Sequence, residues 1–207
     1  MKNDKGVLVV ISGFSGCGKG TMMKELLENY DNYALSISAT TRSPRIGEVD
    51  GREYFFKTKE EFKKMIDEQA FLEYACYVDN YYGTPKAYVE KCLEEGKDVL
   101  LEIEIQGAHH VKELMPEAVL IFILPPSAEE LKNRLSGRGT ETEDVIQARL
   151  DRAKEEAYGI EEYDYVVVND NLEESVAQLN ALIKSLHCDT FRNKELINNI
   201  REGVNRF

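Results

Sequence analysis

A glycine-rich turn, Gly13-Phe14-Ser15-Gly16-Cys17-Gly18-Lys19-Gly20-Thr21, joins a short apolar run to an amphipathic stretch, and few folds accommodate that junction. The run Gly6-Val7-Leu8-Val9-Val10-Ile11-Ser12 has strand length and no charged residue, as expected of a strand buried on both faces of a parallel sheet. Beyond Lys19, the residues Met22, Met23, Leu26 and Leu27 recur at helical spacing. Strand, glycine turn and helix in that order aim backbone N–H groups and the positive end of a helix dipole into one hollow. Lys19 stands beside that hollow, so the turn is expected to hold the phosphates of a nucleoside triphosphate along Gly13, Phe14, Ser15, Gly16, Cys17, Gly18, Lys19, Gly20 and Thr21. The pattern departs from G-x-x-x-x-G-K-[ST], because Gly20 follows Lys19 and the hydroxyl comes one residue later, at Thr21. A magnesium ion there would touch Thr21 at most, its shell being largely water and phosphate oxygen.

The rest of the chain alternates strand and helix. Strands are expected at Asp98–Glu104, Val119–Leu124 and Tyr165–Val168, and helices at Gln106–Leu114, Ala128–Leu135, Glu143–Tyr158 and Leu172–Leu186. That alternation predicts an α/β fold, a parallel sheet covered by helices. The stretch from Ser36 to about Pro85 reads differently, as a small, partly antiparallel insert. Its short strands are expected at Leu35–Ala39, Glu53–Phe56 and Leu72–Val78, around an amphipathic piece, Lys59–Gln69, and a tyrosine-rich turn, Asp79–Gly83. The tail from His187 to Phe207 offers one modest helical stretch, Glu195–Arg201.

With 43% hydrophobic and 31% charged residues the chain reads as globular, and its net charge of −12 argues against a nucleic-acid grip. No apolar run reaches the ~20 residues that span a bilayer, and no signal peptide opens the chain, so a cytoplasmic protein without membrane association is expected. Cys17, Cys76, Cys92 and Cys188 are scattered and form no zinc pattern with His109, His110 and His187, so reduced thiols are expected. Cys17 reads either as a redox handle, its thiol acidified by Lys19 and a helix N-terminus, or as a small loop residue.

The sequence Ser38-Ala39-Thr40-Thr41-Arg42-Ser43-Pro44-Arg45-Ile46-Gly47-Glu48-Val49-Asp50-Gly51-Arg52-Glu53-Tyr54 carries a T-T-R-x-P-R-x-G-E-x-x-G-x-x-Y pattern. Phe71-Leu72-Glu73-Tyr74-Ala75, Asn80-Tyr81-Tyr82-Gly83-Thr84 and Leu101-Glu102-Ile103-Glu104-Ile105-Gln106-Gly107 follow it. After those come Pro125-Pro126-Ser127, Arg134–Thr142 and Val168-Asn169-Asp170. In that order, from residue 6 to about 186, these motifs resemble the guanylate kinase family. The resemblance implies a P-loop kinase fold with a mixed α/β GMP-binding insert at about 35–85 and a helical lid at about 126–158. The core would be about 6–34, 86–125 and 159–186, with 187–207 as an extension. It implies transfer of the γ-phosphate of ATP to GMP, with Mg2+, in purine nucleotide metabolism and GMP recycling.

By the family pattern the GMP phosphate falls to Arg42, Arg45, Tyr54 and Tyr82, and guanine to Glu73, Ser38 and nearby Thr84. The chemistry agrees: guanidinium forks suit a dianion, and one carboxylate can accept from both N1–H and N2–H₂ of guanine. Adenine reverses that donor–acceptor order and would face Glu73 with an acceptor. Glu102 and Glu104 are expected at the wet end of a strand, near magnesium or the acceptor. Lys19 and Arg42, with Arg138 and Arg149, are implied in transfer; Arg134 and Arg138 also flank the ATP phosphates, and Asn169 the adenine. Arg152 reads equally as a lid arginine or as an exposed helix charge. A kinase for another monophosphate and a non-catalytic module of the same family are the rivals; the Ser38–Glu73 pair opposes the first and the intact glycine turn the second. Oligomeric state is not legible.

Overall fold

A computed structural model describes residues 5–137 and 142–207. The strands are β1 (Leu8–Gly13), β2 (Tyr33–Leu35), β3 (Ala39–Thr40), β4 (Phe55–Phe56), β5 (Phe71–Tyr77), β6 (Asn80–Pro85), β7 (Asp98–Glu102), β8 (Val119–Leu124) and β9 (Tyr165–Val168). The helices are α1 (Lys19–Asn29), α2 (Lys59–Asp67), α3 (Lys86–Glu94), α4 (Ile105–Leu114), α5 (Ala128–Ser136), α6 (Glu143–Ala157), α7 (Leu172–Leu186) and α8 (Lys194–Val204).

Two sheets form. The larger runs β2-β7-β1-β8-β9 and is parallel at every pairing. Val9 and Val10 in the central strand pair with Leu100 and Leu101 on one side and with Val119 and Leu120 on the other. All of β1 up to Ile11 is buried, as is Leu120–Ile123, so helices cover both faces. A parallel sheet gathers the carboxyl ends of its strands at one rim. The turn after β1, the segment 103–104 after β7 and Asn169 after β9 therefore face the same crevice. The smaller sheet runs β4-β3-β6-β5, with β6 antiparallel to both neighbours. It has its own core of Ala39, Phe62 and Phe71, where Phe62 stacks on Phe71 at 4.4 Å and on Tyr81 at 5.4 Å. Thr58 and Glu61 close a capping box on α2, which delivers Phe62 to that core.

Two expectations need correction, and one helix is new. The strand read at Leu35–Ala39 is two strands in different sheets: Leu35 pairs with Leu100 in the large sheet and Ala39 with Phe55 in the small one. The tyrosine-rich turn is mostly strand β6, and the reversal sits at Val78 and Asp79, both at positive φ (46° and 63°). Helix α3 was not anticipated: Pro85 occupies its N-cap, and Val89, Cys92 and Leu93 bury one face.

At the opposite end of the sheet, Asp98 is buried and accepts from Val7 N–H (2.8 Å) and Asn32 Nδ2 (3.1 Å), while His187 Nε2 lies 2.9 Å from Oδ1. Arg192 donates to the carbonyls of Lys5 (2.7 Å) and Gly6 (2.8 Å), so the tail is tied to the strand that leads into the glycine turn. Among the described residues no helix is long and apolar enough to cross a membrane.

Candidate active site

The glycine turn is built as backbone. Gly16 and Gly18 stand at φ 91° and 88°, in the left-handed region that side chains disfavour, and Gly18 caps α1. A Cβ at Gly18 would collide with Asn169 Nδ2. That amide donates to the Cys17 carbonyl at 2.9 Å, and Arg134 Nη1 reaches the same carbonyl at 3.3 Å. Arg134 is braced in turn by Glu130 through Nε (2.8 Å). Arg149 Nη1 donates to Ser15 Oγ at 2.9 Å, across the mouth of the turn. Thus Arg134, Arg149 and Asn169, all more than 100 residues away in sequence, meet at one loop through Ser15 and Cys17. Arg138 lies outside the described residues.

Lys19 Nζ sits 3.0 Å from Glu102 Oε1, at the last residue of β7. Gly20 also faces that carboxylate, whereas Thr21 is exposed on the first turn of α1. Burial pushes the Cys17 thiol up, outweighing the nearby Lys19. A raised thiol runs against the acidified one expected of a redox handle and suits a small buried loop residue. Glu104 is a further correction: it is no strand residue but the N-cap of α4. Its Oε2 pairs with Arg152 Nη2 at 2.6 Å, and Arg152 Nε pairs with Glu156 at 2.9 Å, tying α6 to the segment after β7.

A cavity of about 400 Å³ opens here, lined by Gly13, Lys19, Glu102, Ile103, Glu104 and Arg149 among others. A second, of about 490 Å³, lies on the other side of the same segment, lined by Glu73, Tyr74, Ile103, Glu104, Gln106 and His110 among others. Helix α4 packs on β5, which brings Gly107 so close that a Cβ there would stand 3.5 Å from Glu73 Oε2. Glu73 Oε1 accepts from Thr84 Oγ1 at 2.6 Å across the β5–β6 pair. Burial raises the Glu73 carboxyl above its ordinary range, against the opposing pull of Thr84 and His110. Ser38 is half-buried on the link between β2 and β3, where its carbonyl accepts from Phe55 N–H at 2.9 Å.

The loop between β3 and β4 carries three of the predicted phosphate ligands, Arg42, Arg45 and Tyr54, and β6 carries the fourth, Tyr82. Arg42 forms a two-pronged ion pair with Glu48, Nη1 to Oε2 at 3.0 Å and Nη2 to Oε1 at 2.9 Å. The guanidinium lies over the Tyr54 ring at 5.3 Å, and Tyr54 meets Tyr82 edge to face at 6.1 Å. Arg42, Tyr54 and Tyr82 are thus together, whereas Arg45 is exposed and joins the group through its backbone N–H, which donates to Glu48 at 2.7 Å. Arg42 and the Arg45 N–H hold the Glu48 carboxyl below the usual range. Glu48, Ile103, Gln106 and His110 were not among the expected site residues. The first three stand inside the motifs quoted above, which was the available signal.

Comparison with known proteins shows the family of the chain. The family model described as guanylate kinase matches residues 5–186. A curated guanylate kinase from Caldanaerobacter subterraneus subsp. tengcongensis is 57% identical over 198 residues, 96% of each chain. One from Bacillus anthracis is 54% identical over 205 residues, 99% of this chain and 100% of the relative. Among solved structures, the guanylate kinase of Anaplasma phagocytophilum superposes with a TM-score of 0.70 at 35% identity, covering 91% of this chain and 90% of that one.

Proposed function

From the premise that this chain belongs to the guanylate kinase family and moves the γ-phosphate of ATP onto GMP, we propose which residues hold each nucleotide. ATP places its phosphates in the turn Gly13–Thr21 with Lys19, flanked by Arg134, Arg138 and Arg149, and its adenine near Asn169. GMP places its phosphate among Arg42, Arg45, Tyr54 and Tyr82, and its base against Glu73, Thr84 and Ser38. One observation supports this division: the cavity at the glycine turn and the cavity at Glu73 share Ile103 and Glu104, so nucleotides bound in them would approach each other across a single two-residue wall, with the Arg42, Tyr54 and Tyr82 group gathered on and beside the small sheet that carries Glu73.

The chemistry follows from that approach. Phosphoryl transfer asks a protein for alignment and for neutralisation of spread charge more than for covalent help. Lys19 supplies a fixed cation at the donor, and Arg149, already on the turn at Ser15, supplies a second. Arg42 and Arg45 neutralise the GMP phosphate, so the attacking oxygen is presented without driving the donor away. Glu73 accepts from the two donors of the guanine edge only while ionised; an adenine would leave it facing an acceptor.

Among the described residues no group of three His, Cys, Asp or Glu could cage a metal. Thr21 and Glu102 offer oxygen ligands, which fits a magnesium ion that arrives with ATP and keeps most of its water. When bound it would neutralise charge between the phosphates. The proposed division of the chain is a core of about 6–34, 86–125 and 159–186, a GMP-binding insert of about 35–85, a lid of about 126–158 and an extension 187–207. Work in the cytoplasm on free nucleotides completes the reading.

The test is a coupled assay of ADP formation with ATP, Mg2+ and each of GMP, AMP, CMP and UMP. GMP should be turned over at least 100-fold more efficiently than the others, on the order of the discrimination that a buried polar mismatch provides. Faster turnover of another monophosphate would overturn the base assignment.

A further inference from the structure

The proposed function leaves Glu48 without a role, yet Glu48 pairs with the Arg42 guanidinium through both of its carboxylate oxygens. Both side chains are less than one-fifth exposed, at 18% and 17%. Arg42 Nη1 gives its two hydrogens to Ser43 O (2.8 Å) and Glu48 Oε2, and Nη2 gives one to Glu48 Oε1. Glu48 therefore engages the guanidinium end-on. Neither Nε–H nor the second Nη2 hydrogen is used by Glu48 or Ser43, and in a planar guanidinium these two form a separate fork along one edge. That edge is the geometry a phosphate accepts from two at a time.

Two readings compete. A carboxylate on a phosphate-binding arginine could be a stand-in that GMP must displace. It could instead be a brace that aims the arginine. The surroundings favour the brace. Glu48 also accepts from Arg45 N–H, so it fastens both predicted phosphate arginines to one turn. The turn is pinned independently by Glu53 to Val49 N–H (2.7 Å), Asp50 to Phe56 N–H (2.7 Å) and Arg52 to Gly47 O (2.8 Å). The Tyr54 ring closes one face of the guanidinium, and the Tyr82 hydroxyl is a further hydrogen-bond neighbour.

We propose that Glu48 is a positioning residue for the acceptor phosphate: it holds Arg42 end-on so that the Nε–Nη2 edge meets GMP, and it stays in place when GMP binds. This rests on the reading that Arg42 binds the GMP phosphate. A long arginine side chain loses considerable rotamer freedom on binding an anion, and a brace that orders it beforehand removes that cost from the binding step.

The experiment compares Glu48→Gln, Glu48→Asp and Arg42→Lys, and the double variant Arg42→Lys with Glu48→Gln. KM for GMP and ATP and kcat are measured, and GMP and guanosine binding are followed by calorimetry. Glu48→Gln should raise KM for GMP about tenfold while KM for ATP and kcat move less than about twofold, the signature of lost ground-state binding. Guanosine, lacking the phosphate, should bind as before, and Glu48→Asp should recover part of the loss. In the Arg42→Lys background Glu48→Gln should add less than about twofold, because the two act as one unit. Tighter or unchanged GMP binding in Glu48→Gln, or an equal loss for guanosine, overturns the brace. If Arg42→Lys alone leaves KM for GMP unmoved, the phosphate role of Arg42 falls first, and the brace with it. If Arg42→Lys weakens GMP and Glu48→Gln does not, only the brace falls.

Discussion

The two phosphate-binding regions are built from different materials. The turn at Gly13–Thr21 is made of main chain: its shape comes from two glycines at positive φ, a helix start, and an amide and an arginine that grip the Cys17 carbonyl. The loop from Arg42 to Tyr54 is made of side chains, with charged and aromatic groups holding one another on an exposed turn. A site made of backbone is specified by where side chains must be missing, and one made of side chains by which long groups meet. The first kind of site leaves a readable pattern in a few adjacent residues; the second leaves only charges that resemble solvated ones.

This contrast can be broken by substitution. The largest effect is expected from Lys19→Ala, which removes the cation at the donor but leaves the backbone cradle. Steady-state kinetics should show kcat falling by about 10³ or more, the order found when a preorganised charge is deleted from a transition state. ATP binding, followed by calorimetry, should weaken far less, because the main chain still holds the phosphates; a loss of binding as large as the loss of rate would mean that the turn depends on its side chain after all. Next comes Arg42→Ala, expected to raise KM for GMP by about 100-fold with little change in KM for ATP, on the scale of a buried charged contact. Unchanged GMP kinetics would remove the side-chain-built half of the comparison.

The smallest effect concerns Glu73. Glu73→Gln should weaken GMP about tenfold and AMP less, since the amide donates where guanine needs acceptors. It should also raise the Tm of the free enzyme at neutral pH. The sign follows from linkage: burial raises the folded carboxyl, so the protonated form favours folding. The stability Glu73 contributes is present below its unfolded pKa and is lost as pH rises through the raised folded value. The advantage of the glutamine should therefore be greatest near pH 7 and should shrink as the pH falls toward the ordinary carboxyl range. Thermal melts of both proteins across that range, without nucleotide, would show whether the two curves converge.

How much was legible from residues follows the same division. The β1–turn–α1 unit could be read from one short segment because glycine spacing and an apolar run sufficed. The parallel sheet followed from β7, β8 and β9, whose apolar runs are continuous. Sheet membership of β2 and β3 was not legible: each strand is only two or three residues long, and what separates them is the partner each finds, Leu100 for Leu35 and Phe55 for Ala39. Helix α3 was hidden because its proline and the preceding strand residues read as loop. At the site, Glu73, Arg42 and Tyr82 were named by family resemblance, not by local pattern, since nothing in the sequence says that β5 pairs with β6 or packs on α4. The contacts of Arg134 and Asn169 with the Cys17 carbonyl span 117 and 152 residues and become visible only in the folded chain.

The wall of Ile103 and Glu104 has a consequence for the thermodynamics of the pair of ligands. If its position responds to what fills either side, the two occupancies are linked, and linkage is reciprocal: whatever factor GMP adds to the affinity for ATP, ATP must add to the affinity for GMP. Replacing Ile103 by a smaller residue would then alter both factors equally, whichever nucleotide is titrated first.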